Sequence, residues 1–538
     1  MAINNIYTDG IAAGWDVRDA STFTAPQTLE ADVVIVGTGA GGGTTAEILA
    51  QAGFKVLMLE EGPLKTSDNF KDMNEGRAYA ELYQEATARA TSDGAIAILQ
   101  GRSVGGTTTI NWTSSFRTPP ETLKHWADVH GVQDWGADAS KAWFDNRTER
   151  LGIAPWAAAP NANNAVLQRA CEKLGWEHHV IPRNVKGCWN SGYCGYGCPV
   201  NAKQSMLVST IPEALKAKAT LVHHLSVRTL RFTGDKVTSL EAVAMDSACI
   251  KASGVAVTVR AKHFVLAGGA INNPALLLRS KAPDPHGRIG KRTFLHPVVL
   301  TYAVMPEAID GWYGAPQSVA SDHFQWQGDF SKSPGFKLEV PPINPVLTAA
   351  LFGRIGGELA DGLANMKHLN AMLALVRDGF HEQSIGGTVK IDDAGNPILD
   401  YEITDYLFAG FKQALLRMTE AQFAAGAARV TPAHLDGVWA TSWAQARPQI
   451  EALAYQKFRL AIATAHIMGG CAMGGDVKQS VTNSDGSHHQ IENLSIIDGS
   501  LFPTSIGANP QLSIYALAAR NATALAARLK PTGAVLAA

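Results

Sequence analysis

Residues 31–62 contain the stretch that decides the fold, ADVVIVGTGAGGGTTAEILAQAGFKVLMLEEG. The β-branched run at its start predicts a strand over residues 32–36 that is buried on both faces of a parallel sheet. GTGAGG follows, then a helical pattern over residues 44–52, and then a second apolar run, KVLMLE. A strand, a glycine-rich turn, a helix and a second strand in this order are typical of a dinucleotide-binding unit.

Each glycine of GTGAGG has its own expected role. Gly37 permits the tight turn, Gly39 lets a pyrophosphate approach the backbone, and Gly42 lets the helix pack on the strand. The N-terminus of the helix then faces the phosphates. Glu60 ends the second strand, where a carboxylate can bind ribose hydroxyls. The motif alone does not distinguish NAD from FAD, and a glycine-rich turn that binds nothing is the alternative.

The composition limits the classes of function. The chain has 538 residues, 46% of them apolar and 17% charged, with a formal net charge of −2. This is a globular composition, and the near-neutral charge favours neither nucleic acid nor an anionic membrane as a partner. The N-terminus lacks the pattern of a signal peptide, and no apolar run is long enough for an integral membrane segment. With only six cysteines, we expect a cytoplasmic protein without a disulfide framework.

Two groups of potential metal ligands are interpreted as structural, so no metal site is predicted. The cysteines of GCWNSGYCGYGC (187–198) match no zinc spacing, and a small-residue turn with buried thiols is expected there. Adjacent side chains on a strand point to opposite faces, so paired histidines are expected to be ordinary surface residues. These pairs are His178–His179, His223–His224 and His488–His489.

Three further glycine-rich or strand–turn–helix elements lie far apart in the chain. They are GRSVGGTTTINWTSSFRTP (101–119), HFVLAGGAINNPALLLRS (263–280) and the segment 491–529, which predicts a strand, a loop ending in GANP and a long helix. A nucleotide-binding domain assembled from discontinuous segments explains this distribution. The region between them predicts a β-rich second domain, with a hairpin at AGNP in residues 386–403. Residues 345–376 are amphipathic, and a pair of core-packed helices is preferred there over a membrane-dipping flap.

These motifs together resemble those of the glucose–methanol–choline (GMC) family of FAD-dependent oxidoreductases. GRSVGGTTTIN resembles the family's GRxxGGSSxxN signature, with Thr107 and Thr108 in place of the serines, and GAINNP carries Asn273 in place of a serine. HIMGGC, followed by DGSLFP and GANP, is similar to the catalytic C-terminal section. The GGC and the asparagine of GANP are closer to cholesterol oxidases and long-chain alcohol oxidases than to glucose oxidases, which carry a second histidine where Asn509 stands.

The resemblance implies an α/β fold with a Rossmann-like FAD-binding domain in discontinuous segments and an α+β substrate-binding domain with an antiparallel sheet. The expected FAD-binding segments are 28–118, 201–298 and 456–538, with a substrate-side insertion at 119–200 and the substrate domain at 299–455. Ile110 occupies the position where some relatives carry the histidine that links the flavin, so the FAD is expected to be non-covalent. The cofactor-binding residues implied are Gly37, Gly39, Ala40, Gly42, Glu60, Arg102, Gly105, Gly106, Thr107, Asn111, Thr113, Ser114, Val227, Asp498, Gly499 and Pro510.

The resemblance also implies a catalytic pair, His466 in TAHIMGGCAMG (464–474) and Asn509 in GANP. Flavin can take the hydride of an alcohol, but the protein must supply a base for the hydroxyl proton. A neutral imidazole in a dry site suits that role. A histidine in an apolar stretch is otherwise more often structural. Glu339 is a possible further pocket residue, but a surface glutamate at a strand end is the preferred interpretation.

The predicted function is therefore oxidation of a hydrophobic or aromatic alcohol, with oxygen or another electron acceptor. Three alternatives remain at this stage. An NAD-linked flavin reductase would need a second GxGxxG element, which is not evident. A lyase of the same family would split cyanohydrins with an idle flavin, and a flavin-binding protein without activity would not need His466 and Asn509.

Overall fold

The computed structural model describes residues 3–530, which form two large sheets with helices packed against them. The α-helices are Ile6–Ala12, Ala40–Gln51, Ser67–Phe70, Glu75–Leu82, Pro120–His130, Ala137–Arg150, Ala162–Leu174, Thr210–Lys216, Gly269–Arg279, Pro345–Leu351, Gly357–Ala364, Asp405–Ala424, Trp443–Glu451 and Gln511–Leu529. Short 3₁₀ turns lie at Ala20–Thr22, Gln84–Thr87, Gly106–Thr109, Met366–His368 and Gly499–Leu501.

The first sheet is built around the predicted strand–turn–helix–strand unit. Its order is Asp16–Asp19, Thr220–His223, Val56–Leu59, Gln27–Val36, Ala252–Leu266, Lys236–Met245 and Leu225–Thr233, with Leu494–Ile496 also pairing with Ala252–Leu266. The strands from Asp16–Asp19 to Ala252–Leu266 and Leu494–Ile496 are parallel, and the last two strands form an antiparallel meander.

The local unit follows the sequence prediction closely. Val33, Val34 and Ile35 are fully buried, as expected of a strand covered on both faces. The helix begins at Ala40 rather than at the predicted residue 44, because Ala40, Gly41 and Gly42 at the end of GTGAGG belong to its first turn. The helix Gln511–Leu529 packs against the helix Ala40–Gln51. The C-terminal segment therefore returns to the first nucleotide-binding element.

The second sheet is mostly antiparallel and carries its own core. Its order is Ala97–Ile98, Ala463–Thr464, Val298–Val304, Leu369–Val376, Phe336–Glu339, Val319–Ser321 and His179–Val180, with Arg429–Pro432 pairing against Val298–Val304. The helix Asp405–Ala424 covers one face of the sheet, where Phe411, Leu415 and Met418 are fully buried. The predicted α/β class with an additional antiparallel sheet is confirmed.

Two smaller sheets complete the chain. Pro397–Asp400, Gly387–Ile391, Lys291–Phe294 and Met468–Gly469 form a four-stranded antiparallel sheet, and Ile153–Pro155 pairs with Pro182–Asn184. The hairpin predicted at AGNP is confirmed, because Ile391 and Pro397 are register partners across it.

Residues 345–376 agree with the prediction only in part. Two short helices do form, and Leu351 and Leu359 pack against a buried apolar cluster, but Thr348 and Gly362 are the only buried residues within the helices themselves. Residues 369–376 form a strand whose eight residues are all buried. Positive φ angles at Gly353 and Gly356 separate the two helices. None of the helices within residues 3–530 combines the length and the apolar character needed to cross a bilayer.

Candidate active site

A cavity of about 760 Å³ lies between the first sheet and the second, within the range of about 300–1,000 Å³ that is typical of ligand pockets. All of the predicted site residues except Gly42 and Gly105 line it. Gly42 lies against the carbonyl of Gly37, which a side chain at Gly42 would strike. Gly105 has a φ of 89° and supports the turn behind the cavity wall. The fold therefore brings the separated motifs to one place.

The two glycine-rich elements meet at the floor of this cavity. A Cβ added to Gly106 would lie 2.8 Å from the Cα of Gly39, so the two backbones are in close contact. Thr38 joins them, because its Oγ1 accepts a hydrogen bond from the Gly105 N–H at 3.0 Å. A Cβ at Gly39 meets only the Cα of Gly106, at 3.9 Å, and otherwise faces open space. The floor is thus an open backbone surface at the N-terminus of a helix, which suits a pyrophosphate.

Glu60 lies at the end of its strand, in the wall of the same cavity. Its carboxylate accepts hydrogen bonds from the N–H and the hydroxyl of Thr38 and from the N–H of Gly62. Burial raises its pKa, and these hydrogen bonds act in the opposite direction. The hydrogen bonds fix the carboxylate where it can accept from a hydroxyl-bearing ligand.

Asp498 and Asn273 connect the floor to the C-terminal segment. Asp498 Oδ2 accepts hydrogen bonds from the Gly269 N–H at 2.7 Å and from Asn273 Nδ2 at 2.8 Å. Asn273 Nδ2 also donates to Ser500 Oγ, and its Oδ1 accepts from the Gly268 N–H. The asparagine that replaces the family's serine therefore makes several contacts that a hydroxyl is too short to span together.

His466 lies in the cavity wall beside a second histidine, His296. The two rings stack with centroids 5.4 Å apart, and their Nδ1 atoms are 3.3 Å apart. The ring of His466 is half-buried because part of its surface faces the cavity. The surrounding protein buries the rest of the ring, and this burial lowers the pKa of His466 to about 4. At neutral pH this imidazole is uncharged.

The sequence reasoning missed His296. It is fully buried with a φ of 47°, and its backbone N–H donates to Asp378. Burial, followed by the proximity of His466, lowers the pKa of His296 well below the ordinary range. No local pattern in FLHPVV separates it from an ordinary core histidine.

Asn509 is buried, and its amide contacts Glu339. Asn509 Nδ2 donates to Glu339 Oε2 at 3.2 Å, whereas Asn509 Oδ1 and Glu339 Oε1 have no hydrogen-bond partner among residues 3–530. The surface interpretation of Glu339 was wrong, because this side chain is fully buried. Lys337 and Glu339 lie on the same face of their strand. Other parts of the chain cover that face, so neither side chain is exposed to water.

Burial raises the pKa of Glu339 to about 7, while Lys337 and the Asn509 hydrogen bond act in the opposite direction. The carboxyl group therefore changes charge close to neutral pH.

The far side of the cavity is apolar. Alternate residues of two paired antiparallel strands face it, with Val298 opposite Leu375 and Leu300 opposite Leu373. We call this region the apolar chamber, and its lining residues are Val298, Leu300, Tyr302, Ile343, Leu347, Leu351, Ala371, Leu373 and Leu375. One end of the cavity therefore has backbone N–H groups and the other has hydrocarbon.

The residues fit FAD on two structural grounds. The glycine floor has no side chain where a phosphate would lie. Several buried polar atoms in or beside the wall also lack partners among residues 3–530, namely Arg102 Nε, Thr113 Oγ1, Glu339 Oε1 and Asn509 Oδ1. Buried polar groups without partners are costly, and a polar ligand can satisfy them.

The structure corrects two further predictions. Cys188, Cys194 and Cys198 are half-buried rather than buried. Their loop folds over Lys203, whose amine donates to the backbone oxygens of Asn111 and Cys194.

The pair His223–His224 is also buried instead of exposed. His224 has a φ of 57°, so the chain leaves the strand there and both rings lie together. His488 is buried as well.

Comparison with known proteins agrees with this geometry. The N-terminal model of GMC oxidoreductases matches residues 79–298, and the C-terminal model matches residues 383–518, together more than half of the chain. The chain belongs to the GMC oxidoreductase family. The resemblance inferred from the four motifs, and with it the oxidoreductase class, is confirmed.

Relatives of this GMC oxidoreductase include a long-chain-alcohol oxidase of Arabidopsis thaliana, which is 28% identical over 519 residues. That match covers 91% of this chain and 66% of the relative, so the chain spans slightly less than two thirds of that protein. An uncharacterized GMC-type oxidoreductase of Mycobacterium tuberculosis is 29% identical over 498 residues, covering 92% of this chain and 75% of the relative.

Solved structures show the same fold. Pyridoxine 4-oxidase from Mesorbium loti matches with a TM-score of 0.64 and 18% identity, covering 91% of this chain and 98% of that one. A formate oxidase of Aspergillus oryzae matches with a TM-score of 0.65 and 15% identity, covering 94% and 99%.

Proposed function

We propose that this GMC oxidoreductase oxidises a hydrophobic alcohol to the aldehyde or ketone, with non-covalent FAD as the cofactor. One observation carries the proposal. His466 and Asn509 lie in a single cavity that has a glycine floor for a nucleotide at one end and the apolar chamber at the other. Bound FAD supplies the hydride acceptor at its N5 atom, and the groups described below supply the rest.

His466 acts as the base for the alcohol hydroxyl. Its low pKa keeps the ring neutral, so a lone pair is available at working pH. Because its Nδ1 faces His296, Nε2 is the nitrogen left for the substrate. His296 packs along the ring of His466 and restricts its orientation.

Asn509 orients the alcohol oxygen, and Glu339 positions Asn509. Glu339 Oε2 accepts one N–H of the amide. The other N–H of Asn509 then remains to donate to the substrate oxygen, and the hydroxyl proton of the substrate is left for His466. The pKa of Glu339 lies near 7, so a change of pH around neutrality alters the charge beside this amide.

The apolar chamber supports a substrate with a long hydrocarbon or an aromatic group. Hydrocarbon gains about 0.8 kcal/mol for each buried CH₂ group, roughly a fourfold gain in binding. The relatives named as long-chain-alcohol oxidases support the same substrate class, with oxygen as one possible acceptor. Ile110 carries no group that can bond covalently to a flavin, which supports dissociable cofactor.

The test is a series of straight-chain primary alcohols from four to eighteen carbons, with glucose as the polar control. Product should be followed both with oxygen, as hydrogen peroxide, and with an artificial electron acceptor. We expect kcat/KM to rise several-fold for each added CH₂ until the chamber is full, with no turnover of glucose. Turnover of a cyanohydrin with no oxidation of any alcohol would replace the proposal by the lyase alternative.

A further inference from the structure

A cluster of metal-ligand side chains lies at the edge of the first sheet, outside the cavity described above. Asp19 and His223 end two paired parallel strands and are register partners. His224 follows, and its left-handed backbone brings its ring to the same side. The Nδ1 atoms of the two histidines lie 2.7 Å apart. Asp19 Oδ1 lies 2.9 Å from His224 Nδ1 and 3.9 Å from His223 Nδ1.

One proton serves this arrangement poorly. A neutral imidazole carries one N–H, and an ionised carboxylate carries none. If His224 Nδ1 accepts from His223, its lone pair faces the carboxylate. If it donates instead, its single N–H has to be shared between Asp19 and His223, and a shared hydrogen bond is poorly aligned with each acceptor.

The surroundings keep the donor atoms available. The side chains of His223 and His224 are only 8% and 7% exposed, whereas that of Asp19 is 39% exposed. An ion can therefore enter from the Asp19 side.

We propose that Asp19, His223 and His224 form a binding site for a divalent transition-metal cation of the zinc class. Two imidazole nitrogens and one carboxylate oxygen are a donor set that Zn²⁺ and its neighbours accept, with water in the remaining positions. A cation bound between the three atoms accepts a lone pair from each of them, so the two short contacts no longer depend on one shared proton.

The site is connected to the nucleotide end of the cavity through the backbone. The His224 N–H donates to the Gly62 carbonyl at 3.2 Å, and the Leu225 N–H donates to the Glu60 carbonyl at 2.9 Å. An ion held by His223 and His224 therefore stabilises the turn that carries Glu60, and binding should raise the melting temperature of the protein.

The experiment uses the FAD-loaded protein, stripped with EDTA and titrated with Zn²⁺ in a calorimeter. We expect one Zn²⁺ per chain. Asp19→Asn and His224→Asn should each weaken binding by about tenfold or more, as expected for the loss of a ligand. His286→Asn, at an exposed histidine outside the cluster, is the matched control and should bind like the wild type.

Both test substitutions are chosen to preserve the backbone. Asparagine at position 19 keeps an oxygen for the Ser21 N–H, and asparagine tolerates the left-handed conformation at position 224. If His224→Asn fails to fold, the Zn²⁺ affinity of Asp19→Asn alone tests the proposal. Wild-type Zn²⁺ affinity in Asp19→Asn, or no Zn²⁺ binding by the wild type, would overturn the proposal.

Discussion

Replacing His466 by alanine tests the assignment of the base. A positioned general base contributes about 10²–10⁴ in rate, which corresponds to about 3–5 kcal/mol of barrier. The pKa of about 4 means that roughly one ring in a thousand is protonated at pH 7 in the wild type. The full contribution of the base is therefore present at neutral pH, and we expect kcat/KM of the variant to fall by the whole of that factor.

The assay pairs steady-state turnover with two controls. FAD content, read from the visible absorbance, should match that of the wild type, because the hydrogen bonds of His466 are to His296 and Thr464 and not to the glycine floor. His286→Ala, at an exposed position, should keep full activity. The wild-type kcat/KM should show no His466 titration between pH 6 and 9 and should fall as pH approaches 4. Activity within threefold of the wild type at full flavin content would refute the reasoning.

Three further predictions concern the cavity. In Glu339→Gln, the ionisable group is lost. Burial raises the folded-state pKa of Glu339 from 4.5 to about 7, so its contribution to stability is present below pH 4.5 and is lost as pH rises through 7. Relative to this variant, the free energy of unfolding of the wild type should fall by at most about 3 kcal/mol between pH 4.5 and 8. For a chain of this length that corresponds to roughly 3 °C in melting temperature. An equal pH dependence of the two melting temperatures would contradict the burial of the carboxyl group. Gly39→Ala should fold normally but bind FAD about 5–150-fold more weakly, because the added methyl group enters the open floor. Equilibrium titration with FAD tests this, and Gly136→Ala is the control, because nothing lies within 4 Å of a Cβ at that position. An unchanged FAD affinity of Gly39→Ala would count against the floor as the pyrophosphate site. Leu300→Trp should reduce kcat/KM for long-chain alcohols at least tenfold while sparing short ones; an unchanged chain-length profile would exclude the apolar chamber as the substrate site.

The nucleotide-binding half was predictable because its signals are local. The β-branched strand, the glycines of the turn and the following helix depend on neighbouring residues, so their spacing determines the structure directly. The bounds differ by a few residues because glycines carry little helical signal. The convergence of distant motifs on one cavity followed from the resemblance, since periodicity does not show which segments meet.

The errors arose where tertiary contacts decide the outcome. Lys337 and Glu339 alternate with apolar residues, a pattern that is also typical of a solvent-facing strand, and only the complete fold shows that the polar face is covered. Residues 369–376 are buried throughout, so their apolar run did not distinguish a strand from a helix. The left-handed conformation of His224 gave no signal in the sequence, so its pairing with His223 was missed.

The central claim is that an alcohol transfers its hydride to FAD in this cavity while His466 takes the proton. The most direct measurement mixes the FAD-loaded protein with a long-chain primary alcohol without oxygen and records flavin absorbance near 450 nm. We expect rapid bleaching with one equivalent of aldehyde formed in the wild type, and bleaching slowed by about 10²–10⁴ in His466→Ala. A flavin that stays oxidised at saturating alcohol, or equal bleaching rates in the two proteins, would contradict the claim.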